Sequence, residues 1–122
     1  MFRIRHFGFI VDDLEEAKEF YVGVLGLEVK KEALEKGKFI STVLGNEVEV
    51  KTCKLTGKIE LLEYVKGKGG NHIAFTISED MFKKFDLISE PQVSPDGKVK
   101  LAFTYISGTL IELVYEIPRS NI

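Results

Sequence analysis

Apolar and polar positions along the 122-residue chain change period several times, and each change predicts an element. Arg3 to Val11 is dense in β-branched and aromatic residues and reads as a buried strand. Asp12 and Asp13 stand where a helix N-cap belongs, with Glu15 and Glu16 at capping-box distance. Leu14, Ala17, Tyr21, Val24 and Leu25 follow at helical spacing, and Gly26 supplies a C-terminal cap. Leu27 to Lys31 predicts a short strand. Residues 32–47 hold no clean period beyond a helical turn around Phe39–Leu44. Glu47 to Leu55 alternates as a strand, Thr56-Gly57-Lys58 is a tight turn, and Ile59 to Val65 returns. Lys66 to Gly70 has the composition of a flexible linker. Asn71 to Ile77 then predicts a strand, and Ser78 caps a short helix carrying Met81, Phe82 and Phe85. Pro91 to Gly97 reads as loop, Lys98 to Ile106 as a strand, Ser107-Gly108 as a turn, and Leu110 to Glu116 as the last strand.

The pattern is a repeat. His6-Phe-Gly-Phe-Ile-Val-Asp-Asp13 aligns with His72-Ile-Ala-Phe-Thr-Ile-Ser-Glu79, and Ile59-Glu-Leu-Leu62 aligns with Ile111-Glu-Leu-Val114. Each half opens on a His-bearing strand and closes on a Glu-bearing one. The expectation is a single α+β domain over 1–122, with module one at 1–65, the linker at 66–70 and module two at 71–117. Two such modules form curved sheets, neither of which buries its face alone.

Composition narrows the function. Hydrophobic residues at 44% and charged residues at 30% are ordinary globular values, so disorder is not expected. A net charge of -2 excludes a broadly basic nucleic-acid surface. The single Cys53 excludes a disulfide framework and an all-Cys zinc site, and reads as a strand packing residue. No apolar run approaches the ~18 residues of a membrane span. Met1 leads directly into strand-like sequence without a signal-peptide pattern, so a cytoplasmic protein is expected.

The chemistry rests on four residues. The only two His, His6 and His72, hold the same repeat position among apolar neighbours. Glu60 and Glu112 also match, each between Ile and Leu, where an unpaired carboxylate is costly. Taken singly, each would pass for a core or solvent-facing residue. As a repeated pair, two imidazoles and two carboxylates suit a divalent metal of borderline character. On strand parity Leu62 and Tyr64 share a face with Glu60, whereas Arg5 points away from His6 toward surface or interface. Glu35, Lys66 and Lys68 read as solvated groups, the two lysines with the alternative of meeting an anionic tail such as CoA or glutathione. No nucleophile elbow, P-loop or dinucleotide motif is present.

On these residues the chain resembles the vicinal oxygen chelate superfamily, the fold of glyoxalase I, methylmalonyl-CoA epimerase, extradiol dioxygenases and bleomycin-resistance proteins. His6-Phe-Gly-Phe-Ile-Val-Asp-Asp-Leu-Glu-Glu-Ala-Lys-Glu-Phe-Tyr21, with Val24-Leu-Gly-Leu-Glu28, is similar to its opening signature. Ile59-Glu-Leu-Leu-Glu-Tyr64 resembles the end of its first half, and Asn71-His-Ile-Ala-Phe75 and Gly108-Thr-Leu-Ile-Glu-Leu113 its second-half signatures. The resemblance implies two βαβββ modules forming a cup-shaped mixed-sheet barrel around a metal held by His6, Glu60, His72 and Glu112. The chain departs from the family at Tyr105-Ile-Ser-Gly108, in place of the usual acidic turn, and in a short second-module helix.

What the resemblance implies for function follows from that ligand set. Extradiol dioxygenases use two His and one Glu, and bleomycin binders lack the set. Two His with two Glu resembles the glyoxalase and epimerase branch. The implied activity is that of a metal-dependent lyase or isomerase, moving a proton on a small carbonyl substrate chelated through vicinal oxygens. The ion is one divalent transition metal among Ni, Co, Zn, Mn and Fe. Glu112 is the implied catalytic carboxylate, with Glu60 its symmetric alternative. The competing readings are a non-catalytic small-molecule binder and metal-dependent opening or transfer on an antibiotic, as in fosfomycin-resistance relatives. The implied partners are a small-molecule substrate and a second copy in a homodimer, with no nucleic acid and no membrane.

Overall fold

The computed structural model describes residues 3–119. Met1, on which the N-terminal reading turns, lies outside them. Eight strands form one mixed sheet: β1 (Arg3–Ile10), β2 (Val29–Lys36), β3 (Glu49–Leu55), β4 (Ile59–Lys66), β5 (His72–Thr76), β6 (Gln92–Val93), β7 (Val99–Ile106) and β8 (Thr109–Glu116). Their order is β2-β3-β4-β1-β5-β8-β7-β6. The sheet curls into a half-barrel with few helices, so the α+β cup expected from the sequence is the fold.

Pairing is mirrored about the centre. β1 runs parallel to β4, and β5 parallel to β8. β1 and β5 meet antiparallel and join the two halves. The short helix α1 (Leu14–Lys18) covers the outer face of the first half. It starts at Asp13, whose side chain accepts from the Glu16 amide at 3.1 Å, while the Leu14 amide donates to Glu63 Oε1 at 2.7 Å. Leu14 packs with Cys53, Leu55 and Leu61.

Beyond Lys18 the helix widens to π geometry over Glu19–Val24. A wider turn rotates the apolar face. Val22 therefore joins the core, whereas Val24 and Leu25, expected inside on α-helical spacing, are 72% and 54% exposed. Gly26 does take the left-handed conformation of a cap. The second-half counterpart of α1 is only a 3₁₀ turn, Glu79–Lys84, and Ser78 makes no side-chain capping bond to it. Ile77 and Phe82 pack there on Ala102 and Leu113.

The unpatterned region 32–47 resolves into the end of β2 and a helix, α2 (Lys38–Leu44). This helix turns inward. Its buried Val43 packs against Leu101, Phe103, Leu110 and Val114 of the other half, with Phe39, Ile40 and Leu44 around it. The Lys66–Gly70 stretch is not the loose linker its composition implied. The Asn46 side chain binds both the amide and the carbonyl of Lys68, and Gly69 lies so close to Tyr64 that a Cβ there would fall 1.9 Å from the phenol oxygen.

Candidate metal centre

His6 (β1), Glu60 (β4), His72 (β5) and Glu112 (β8) come from the four central strands, and the register explains why they meet. Gly8 lies opposite both Glu60 and His72, and Ala74 opposite both His6 and Glu112. The small residue two positions after each His is thus the seat of the other half's ring. At Gly8 the fit admits no side chain, because a Cβ would stand 2.2 Å from His72 Cε1. Ala74 is fully buried at the equivalent place.

The donor atoms converge. The two Nε2 atoms lie 3.0 Å apart, and His6 Nε2 is 3.3 Å from both Glu60 Oε1 and Glu112 Oε1. His72 Nε2 is 3.1 Å from Glu112 Oε1 and 3.8 Å from Glu60 Oε1. Metal bonds of about 2.0–2.2 Å place neighbouring donors about 3 Å apart, so His6, Glu60 and His72, whose donor atoms all lie within 4.8 Å of one another, fit a divalent ion, with Glu112 against both rings. His72 Nδ1 donates to the Gly70 carbonyl at 3.2 Å, which leaves the Nε2 lone pair of the neutral ring facing the cluster. Glu60, His72 and Glu112 are buried.

The two carboxylates differ electrostatically. Burial pushes Glu60 up, Glu112 adds to the rise and His6 opposes it, leaving Glu60 raised. For Glu112 burial again acts upward and most strongly. Hydrogen bonds and charge from His6 and His72 together outweigh it and hold the carboxyl well below the usual range. On His72 burial acts downward, but the Glu112 hydrogen bond and charge, the Gly70 carbonyl and Glu60 leave it raised.

The cluster forms the floor of a cavity of about 580 Å³. A more open hollow of about 720 Å³ lies on the outer side of α2 and is lined by Ser41, Thr42 and Asn46 among others. The convergent donors are in the first. Leu62 and Tyr64 line it on the Glu60 side, as parity predicts, and burial with the nearby Glu60 and Glu112 pushes the Tyr64 phenol up to about 12. Two residues depart from their sequence readings. Glu35 lines the cup while still open to solvent, and desolvation plus Glu60 and Glu112 raise its carboxyl. Only the β2–β3 register, which pairs Glu35 with Val50, turns it inward. Arg5 also borders the cavity, because the β1–β5 register slips between Ile4 and His6 and breaks the parity. It reaches Thr76 Oγ1 at 3.1 Å and Glu116 Oε2 at 3.0 Å. Lys66 pairs with Glu47, and neither it nor Lys68 lines the cavity.

A mirrored eight-stranded half-barrel with paired His and Glu on its floor defines a class. The chain belongs to the Glyoxalase/Bleomycin resistance protein/Dioxygenase superfamily, whose pattern matches residues 3–121. Among solved structures, methylmalonyl-CoA epimerase from Mycobacterium tuberculosis is similar at 20% identity and a TM-score of 0.65, over 94% of this chain and 88% of that one. The hypothetical protein BH1468 from Bacillus halodurans C-125 is similar at 21% identity and a TM-score of 0.64, over 99% of each chain. Glyoxalase I from Zea mays shares 14% identity at a TM-score of 0.56, over 96% of this chain and 44% of that one. These likenesses establish the shared fold. No curated protein matches the sequence. Among the described residues no helix is long and apolar enough to cross a membrane.

Proposed function

We propose that this chain is a metal-dependent lyase or isomerase of glyoxalase or epimerase type. The observation that supports the reading is the His6, Glu60 and His72 cluster on the floor of the cup, with Glu112 in reach of both rings as the fourth proposed ligand. A divalent ion held there supplies Lewis-acid stabilisation of the negative charge that develops when a carbon beside a carbonyl loses its proton. The protein residues do the rest. Glu112 is ionised at neutral pH, the state a base needs. Glu35 opens onto the same cup, where desolvation together with Glu60 and Glu112 raises its carboxyl, and we assign it the return of the proton. The apolar wall of Leu101 and Phe103 orients the rest of the substrate and limits water.

The same reading has the chain pair with a second copy. The sheet ends at two free edges, β2 and β6, and Val24 and Leu25 stand exposed near the first half. Light scattering at micromolar concentration should give twice the chain mass.

The deciding experiment has two parts. Elemental analysis of protein purified without chelator should find one transition metal per chain. The metal-loaded protein should then exchange the α-proton of small 2-oxo or acyl compounds with D₂O, followed by NMR. A protein that holds no metal and cannot be reconstituted would instead be a binding module on this fold.

A further inference from the structure

We propose that the first-half wall of the cup is an anion subsite. Lys31 and Lys54 hold a second carboxylate, carried by a short-chain substrate whose vicinal oxygens face the floor. This deepens the metal-dependent reading above and rests on it.

Placement comes from the register. Lys31 pairs with Lys54, and Lys54 pairs with Glu60, so the three form one cross-strand row on the concave face. Strands stand about 4.8 Å apart. Lys54 is therefore one strand from a floor residue, and Lys31 one strand farther. Both line the cavity. Among the described residues, neither has a carboxylate within 4.0 Å, although both act through space on Glu35 and Lys54 also on Glu60, whereas Lys18, Lys51, Lys66 and Lys100 on the outer surface each hold a direct ion pair. Other unpaired lysines exist, but Lys31 and Lys54 share a row with the floor.

The fold does not require a cation there. The second-half counterpart of Lys54 is Phe103, which holds the same place opposite Glu112 that Lys54 holds opposite Glu60. There the position serves packing. Charge gives the second argument. Glu60 and Glu112 offset a divalent ion. The remaining lining then holds five cationic side chains, Arg5, Lys31, Lys36, Lys54 and Lys98, against two acidic ones, Glu35 and Asp96. Arg5 is committed to Glu116, which leaves the surplus on lysines. One to two strand spacings between backbones, about 5–10 Å, set the scale of a short diacid, for which four or five carbons are the sizes to test.

The test uses matched acids on the metal-loaded full chain, read by calorimetry. 2-Oxoglutarate should bind at least about tenfold tighter than 2-oxovalerate, the effect of one charge-assisted contact. The preference should shrink as salt rises. Lys54→Gln and Lys31→Gln should each reduce it, the double variant should abolish it, and Lys54→Arg should keep it, all with unchanged metal content. Equal affinities in the parent, or a preference that survives the double variant, would overturn the subsite. Glutarate against valerate removes the vicinal oxygens and reads the lysines alone. A glutarate preference in protein that holds no metal sinks the metal reading and keeps the subsite. Full metal with no preference in either pair does the reverse.

Discussion

The two walls of the cup have the same strand pairing, but one carries more polar and charged side chains than the other. On the first-half wall the inward positions of β2, β3 and β4 carry Lys31, Lys54, Glu35, Thr52 and Tyr64 beside the apolar Val50 and Leu62. On the second-half wall β7 and β8 carry Leu101, Phe103, Leu110 and Val114, and α2 crosses from the other half to cover them. Thr52 faces Leu62 as Leu101 faces Val114, and Lys54 faces Glu60 as Phe103 faces Glu112. The floor retains the two-fold pattern, with His6 and His72 and the carboxylates of Glu60 and Glu112 brought together there. The walls depart from it in their side chains. One wall packs against α2, and the other is the one to which the proposed anion subsite is assigned.

The largest effects should come from breaking the floor's symmetry. His6→Ala and His72→Ala should abolish metal retention, since no other His exists to replace either. Gly8→Ala should weaken metal binding about 10–100-fold by displacing the His72 ring, as losses in a ligand's support do. Ala74→Gly, its counterpart, should retain the metal and cost only about 1 kcal/mol of stability. Elemental analysis and metal titration check all four. Full occupancy in the His variants would place the site elsewhere.

The next test separates the matched carboxylates. Glu112→Gln keeps an oxygen for the ion and removes the base, so α-proton exchange should fall about 100-fold with metal retained. Glu60→Gln should be milder. The reverse order would make Glu60 the base.

The walls should differ in stability. Leu101→Ala leaves a cavity beneath α2 and should cost about 2–4 kcal/mol in urea unfolding. Lys54→Gln should change stability by no more than about 0.5 kcal/mol. Similar losses at both would refute the division between packing and recognition.

The smallest effect concerns pH. Glu35 is raised above its ordinary 4.5 in the folded chain, so folding favours its protonated form. That contribution is fully present below the ordinary value and lost as pH rises through the raised one. Glu35→Gln mimics the protonated state, so its thermal stability relative to the parent should be better at pH 8 than at pH 4. A constant difference across that range would show that Glu35 titrates as an ordinary surface group.

Much of this was legible along the chain. The repeat exposed His6, Glu60, His72 and Glu112 as matched pairs, strand and turn signals gave two curved sheets, and the family resemblance implied the cup. The small residue two after each His was visible as well, though its reason was not. Only the antiparallel pairing of β1 with β5 shows that Gly8 makes room for His72. Glu35 is solvated as read, but its place on the cup, like that of Arg5, was not legible for a related cause. One sits in a region without periodicity, and the other beside a register slip that inverts strand parity.

What the sequence by itself determined is local or repeated: Asp13 as a helix cap, the strands, and the duplicated His and Glu. These depend on neighbours a few residues away or on comparing one half with the other. Tertiary structure alone decided that Val22 replaces Val24 and Leu25 in the core, since a π turn is not written in α-helical spacing. It also decided that α2 packs on the opposite half and that residues 67–70 are held rather than loose. Each of these outcomes depends on contacts between segments distant in sequence, and a pattern of neighbouring residues does not encode which distant surface a segment will meet.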